Sequence, residues 1–85
     1  MTESIIWHII PIANPDGVIH GNSRTNIKGY DINRCWSPYL YHLSPEVQSI
    51  SAYLQSISIS PEDLMIDLHS HSRDFGVFIY ANESN

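Results

Sequence analysis

Three runs of this chain, residues 5–12, 64–71 and 75–80, read as β-strands, and little else is available to cover them. The first, Ile5-Ile6-Trp7-His8-Ile9-Ile10-Pro11-Ile12, is β-branched and nearly all apolar, the pattern of a strand covered on both faces. Pro11 falls near its end, where a missing N–H is tolerated. The second, Leu64-Met65-Ile66-Asp67-Leu68-His69-Ser70-His71, lies between Pro61 and the polar Ser72-Arg73-Asp74. On a strand, His69 and His71 share one face. The third is Phe75-Gly76-Val77-Phe78-Ile79-Tyr80. One clear helix accompanies them. Ser44 is a suitable N-cap, Pro45 fits the first helical position and Glu46 favours the positive end of the helix dipole. Val47, Ile50, Tyr53, Leu54 and Ile57 then recur at helical spacing and make one apolar face. The order strand, long loop, helix, strand, strand predicts an α/β arrangement, a partial mixed or parallel sheet with a flanking helix. Three strands and one helix cannot cover both faces of such a sheet, so the 85 residues are expected to be a piece of a larger domain.

Charge and cysteine usage narrow the function classes. The formal net charge is −5, and the four basic residues, Arg24, Lys28, Arg34 and Arg73, are scattered. That balance argues against nucleic acid or an anionic membrane as partner. Cys35 stands alone, which excludes a disulfide framework and fits a reducing compartment. No apolar run approaches the length of a membrane span, and residues 5–10 are too short for a signal core. A cytoplasmic location is expected.

Between the first strand and the helix lie the residues that carry chemistry. Asn14-Pro15-Asp16-Gly17 reads as a turn, with proline fixing φ and Asp-Gly supplying the reversal. Residues 18–30 are polar and without periodicity, a loop of a length that is uncommon in compact domains and often functional. The loop contains Arg24 and leads into Asp31-Ile32-Asn33-Arg34. If that piece is extended, Asp31 and Asn33 share a face. Taken singly, Arg24 and Arg34 read as solvated cations, and the two histidines as polar residues at a strand exit.

Taken together and in order, these stretches resemble the zinc carboxypeptidases of the carboxypeptidase A type, and most closely their cytosolic branch, which trims C-terminal residues and glutamate chains from proteins such as tubulin. The resemblance rests on Ile10-Pro11-Ile12-Ala13-Asn14-Pro15-Asp16-Gly17-Val18-Ile19, on Gly21-Asn22-Ser23-Arg24, on Gly29-Tyr30-Asp31-Ile32-Asn33-Arg34-Cys35-Trp36, and on Asp67-Leu68-His69-Ser70-His71-Ser72-Arg73 followed by Val77-Phe78-Ile79-Tyr80. It implies a segment of the phosphorylase/hydrolase-like carboxypeptidase fold, a Zn(2+) cofactor and a peptide or protein C-terminus as substrate, with tubulin among the candidates. By the resemblance, His69 is a zinc ligand, Asn33 and Arg34 grip the terminal carboxylate of the substrate, and Arg24 stabilises the oxyanion of the tetrahedral intermediate. Asp31 matches a carboxylate that orients a ligating histidine. The chemistry suits these roles: arginine bonds a carboxylate through a planar, permanently charged fork, and oxyanion stabilisation is a large electrostatic contribution to acyl transfer. His71 is left as a pocket-lining residue.

The departures from the family pattern are as informative. The family takes its other two zinc ligands from an upstream His-x-x-Glu, and no such pattern occurs in this sequence. The glutamate that serves as general base is expected beyond residue 85, and Glu83 is not at its position. The resemblance therefore implies that residues 1–85 are a central fragment of the catalytic domain. The reaction is zinc-dependent hydrolysis of a C-terminal peptide or isopeptide bond, and the 85 residues alone are expected to be inactive. Two other classes stay open: a non-catalytic remnant that binds C-terminal carboxylates, and a structural fragment without activity.

Overall fold

A computed structural model describes residues 4–71, 73 and 75–83. Ser72 and Asp74, used above to bound the second apolar run, lie outside the described residues. Helix α1 spans Pro15–His20 and helix α2 spans Pro45–Ser56. Short 3-10 helices lie between them, a single turn at Ile32–Arg34 and two turns at Pro38–Leu43.

Helix α2 forms where its local signals place it. The Ser44 hydroxyl accepts a 3.2 Å hydrogen bond from the Val47 N–H and donates at 2.9 Å to Glu46 Oε2. The cap thus satisfies one of the amides that a helix N-terminus leaves without an internal partner. Val47 on its apolar face is fully buried, Ile50 and Leu54 are partly buried, and the helix packs on the Pro38–Leu43 3-10 helix. Ile57 leaves the helix with extended backbone, and a turn over residues 60–63 follows.

The expected turn at residues 14–17 is instead the start of α1. The Asn14 side chain accepts a 3.2 Å hydrogen bond from the Gly17 N–H, and Gly21 closes the helix at φ 74, a left-handed conformation that glycine adopts without Cβ strain. Part of the predicted loop, residues 18–20, is therefore helical. The remainder stays irregular, pinned by an isolated antiparallel bridge between Thr25 and Asp31.

The α/β sheet is not formed. Among the described residues there is no β-strand, and the chain is a mixture of short helices, turns and irregular extended segments. Residues 5–12, 64–71 and 75–80 have the composition of strands but no ladder partner. Strand structure depends on a second backbone and on cover for its faces, and neither reaches these runs within the described chain. Their side chains stand in solvent: Ile6 is 79% exposed, Leu68 93% and Val77 98%. The first run does touch α2, where His8 Nδ1 meets the Tyr53 hydroxyl, and Ile9 and Ile10 line a shallow groove with Ser49 and Ile50.

The ordered centre is polar. Asn26 is fully buried, and both ends of its amide are saturated. Its Nδ2 donates to the Leu43 carbonyl at 2.9 Å and to Glu46 Oε2 at 3.3 Å, while Oδ1 accepts from the Lys28 and Tyr30 N–H groups at 3.1 and 3.0 Å. One side chain therefore shapes the loop that carries Arg24 and fastens it to the start of α2.

Candidate active site

The structure brings together Arg24, Asp31 and Asn33, with Arg34 on the same turn. Arg24 Nε lies 2.9 Å from Asp31 Oδ2. Asp31 Oδ1 accepts a 3.1 Å hydrogen bond from the Asn33 N–H, and the Asp31 carbonyl accepts from the Arg34 N–H at 3.0 Å and from the Cys35 thiol at 3.3 Å. Asn33 Oδ1 in turn accepts a 3.0 Å hydrogen bond from Trp36 Nε1. Asp31 is therefore the hub, and it works as the cap of a 3-10 turn, not as one face of a strand. A short side chain accepting from the amide two residues on is a local preference of aspartate.

Electrostatically the cluster divides in two. Arg24 and Asp31 compensate one another across an ion pair in which the arginine is 62% exposed, so solvent screens it strongly. Arg34 is exposed, and no carboxylate pairs with it among the described residues. The chain as a whole is acidic, yet this turn presents an uncompensated guanidinium beside an asparagine amide. A guanidinium can receive an anion, and its planar fork matches a carboxylate in shape.

His69 lies apart from this cluster. Its Nδ1 is 3.7 Å from Asp67 Oδ2, both side chains are largely exposed, and no contact joins it to Arg24, Asp31, Asn33 or Arg34 among the described residues. His71 accepts a 3.1 Å hydrogen bond at Nδ1 from the Arg73 N–H, and its ring meets Phe78 edge-on at 5.4 Å.

Asn26 and Trp36 are the two residues that a reading by motif passes over. Asn26 makes contacts 17 and 20 residues away, which no spacing rule anticipates. Trp36 lies three residues beyond Asn33, within reach of a turn, and that short separation was a signal available in the sequence.

Comparison with known proteins decides the family. The zinc carboxypeptidase family (Peptidase_M14) matches residues 1–85, the whole chain. The chain belongs to the zinc carboxypeptidases. It is 41% identical over 84 residues to Cytosolic carboxypeptidase 4 of Homo sapiens, an overlap that covers 95% of this chain and 8% of that protein. It is 40% identical over 84 residues to Cytosolic carboxypeptidase 1 of Homo sapiens, covering 95% and 7%. A Plasmodium falciparum protein whose name also says zinc carboxypeptidase is 38% identical over 86 residues, covering 100% of this chain and 5% of that protein. The chain thus spans well under a tenth of the length of these relatives. No solved structure matches it.

A zinc carboxypeptidase needs zinc, and a catalytic zinc site takes three protein ligands plus a water. Among the described residues no three histidine, cysteine, aspartate or glutamate side chains come together in a way that could hold a metal ion. His69 has the Asp67 carboxylate near it, at 3.7 Å, but among the described residues no third donor joins these two, and a catalytic zinc site takes three. The donor set of these residues does not fit a zinc site by itself.

Proposed function

We propose that this chain is the substrate-gripping segment of a zinc carboxypeptidase catalytic domain of the cytosolic type. The parent activity is hydrolysis of C-terminal peptide or isopeptide bonds. The observation that supports this best is the family match along the whole chain, taken with the uncompensated Arg34 beside Asn33 on one turn. Asn33 and Arg34 receive the terminal carboxylate of the substrate. A grip of that kind makes an exopeptidase, because an internal peptide bond offers no free carboxylate at that distance. Arg24, held through Nε by Asp31, keeps its terminal N–H groups for the oxygen that gains charge as the carbonyl is attacked. His69 contributes one ligand to a metal site whose other ligands and general base come from outside residues 1–85. A glutamate-bearing C-terminus of a protein such as tubulin is the narrower form of the substrate and rests on the likeness to the cytosolic branch. The lone cysteine and the names of the relatives support a cytoplasmic setting.

The test is zinc-dependent release of a C-terminal residue from a blocked peptide. The 85 residues alone release none. A longer chain of the same gene, carrying an upstream His-x-x-Glu and a distal glutamate, releases it and loses that activity on Arg24→Ala. Release by the 85 residues alone overturns the reading of them as a partial site. An inactive longer chain that holds zinc overturns the enzyme reading.

One observation favours a second reading. Asn33 and Arg34 lie on one formed turn, and no group of metal donors comes together among the described residues, an arrangement that a non-catalytic binder of C-terminal carboxylates would share. In a longer chain, that reading predicts binding that is indifferent to chelators and is accompanied by no hydrolysis.

A further inference from the structure

The contact between Trp36 and Asn33 fixes more than a distance. An indole N–H can only donate, so the amide atom that faces it at 3.0 Å is necessarily the Asn33 oxygen. Amide orientation is otherwise settled by the surrounding hydrogen bonds, and here one donor-only partner settles it. With Oδ1 engaged by Trp36, the Nδ2 amino group points elsewhere, and no acceptor takes a hydrogen bond from it among the described residues. The backbone beneath it is held as well, by the Asn33 N–H on Asp31 Oδ1 and by the Arg34 N–H on the Asp31 carbonyl.

We propose that Trp36 is a positioning residue for the carboxylate grip: its indole N–H locks the Asn33 amide so that the turn shared with Arg34 offers only donors to a terminal carboxylate. In the opposite orientation, the amide oxygen would face the carboxylate as an acceptor against acceptors, and a binding hydrogen bond would become a repulsion. Preorganising the amide also removes the cost of orienting it when the ligand arrives. This inference rests on the reading of Asn33 and Arg34 as the grip.

The experiment uses the 85-residue chain and two probes, N-acetyl-Ala-Ala with a free C-terminal carboxylate and its C-terminal amide. Binding is read from the side-chain amide signals of Asn33 and from the affinity in an NMR titration. The unaltered chain binds the acid in preference to the amide, and Arg34→Ala abolishes that preference. Trp36→Phe, which keeps an aromatic ring but loses the N–H, weakens acid binding about three- to tenfold, the range that one hydrogen bond supplies. In an Asn33→Ala background, Trp36→Phe costs nothing further, because the effect of the indole passes through that amide. Asn33→Asp keeps an acceptor for the indole while replacing the amino group with a second oxygen, and it loses acid binding as fully as Arg34→Ala.

Two results overturn the proposal while leaving the grip intact: an unchanged affinity in Trp36→Phe alongside loss in Arg34→Ala, and an equal loss from Trp36→Phe with and without Asn33. Normal acid binding by Asn33→Asp removes Asn33 from the grip and overturns the proposal with it. No preference for the acid in the unaltered chain, or a preference that survives Arg34→Ala, overturns the grip itself and the proposal with it.

Discussion

The side-chain amide of Asn26 donates a 2.9 Å hydrogen bond to the carbonyl of Leu43, tying the loop that carries Arg24 and Asp31 to the turn that leads into α2. Asn26 is wholly buried, and its four side-chain hydrogen bonds run to three separate parts of the chain. Truncation to Ala leaves the Lys28 and Tyr30 N–H groups and the Leu43 carbonyl short of a partner. Unsatisfied groups of this kind cost about 1–3 kcal/mol each where burial is complete. Asn26→Ala is therefore expected to abolish hydrogen-exchange protection at the Lys28 and Tyr30 amides, while the Leu40 amide, bonded to the Ser37 carbonyl at 2.8 Å, keeps its own. Retained protection at Tyr30 contradicts the role assigned to this side chain.

Gly17 governs how closely α1 approaches the same loop. A Cβ at this position would lie 2.5 Å from the Thr25 carbonyl oxygen and would also collide with the Asn14 amide. Neither neighbour can give freely, because Asn14 Nδ2 donates to that same Thr25 carbonyl at 3.0 Å. Gly17→Ala is expected to displace residues 22–31 at a cost of about 1–3 kcal/mol, in the range of other overpacking substitutions. The check is loss of the native chemical shifts of Thr25 and Asn26, with those of residues 50–56 unchanged. An unperturbed spectrum contradicts the close approach.

Glu46 gives the assembly a pH dependence. Burial works against its charged form, but hydrogen bonds from its own backbone N–H, from the Ser44 hydroxyl and from the Asn26 amide outweigh it, helped by the positive charge of Lys28. Its pKa is consequently lowered in the folded chain. A depressed carboxylate contributes stability that is fully present above the unfolded pKa and is lost as the pH falls through the folded one. Acidification is thus expected to loosen the joint between Asn26 and α2, read as falling exchange protection at Val47 and Asn26. Glu46→Gln should weaken the joint at neutral pH by about 1 kcal/mol or less, since solvent screens much of the charge, and should flatten the acid dependence. Identical acid profiles for the two chains would exclude Glu46 as the titrating group.

What the sequence made legible follows the range of the interactions involved. Helix α2 was readable because its cap, its first-position proline and its apolar spacing all act within a few residues. The strands misled because their apolar residues describe an environment, not a local conformation: Ile5, Leu64 and Val77 are suited to a covered sheet, and the cover is absent from the described residues. Asn14 to Gly17 carries turn chemistry that also starts a helix, and the cap from Asn14 to the Gly17 N–H tips the balance. Arg24, Asp31, Asn33 and Arg34 were singled out by type and order, and the hydrogen bonds and ion pair that join Arg24, Asp31 and Asn33 were not anticipated. The extended reading placed Asp31 and Asn33 on one face, whereas a hydrogen bond within a tight turn brings them together. Asn26 escaped because its partners lie far along the chain.

The central claim is that these residues supply the substrate grip and one metal-binding arm of a zinc carboxypeptidase, without a complete metal site. Equilibrium dialysis against zinc at neutral pH, on the 85-residue chain and on its His69→Ala variant, tests it most directly. The account predicts weak binding that barely differs between the two chains, as expected of a single exposed imidazole with one carboxylate 3.7 Å away. Tight binding of one zinc per chain that disappears with His69→Ala would contradict it, because the chain would then complete a site from its own residues or from a second copy.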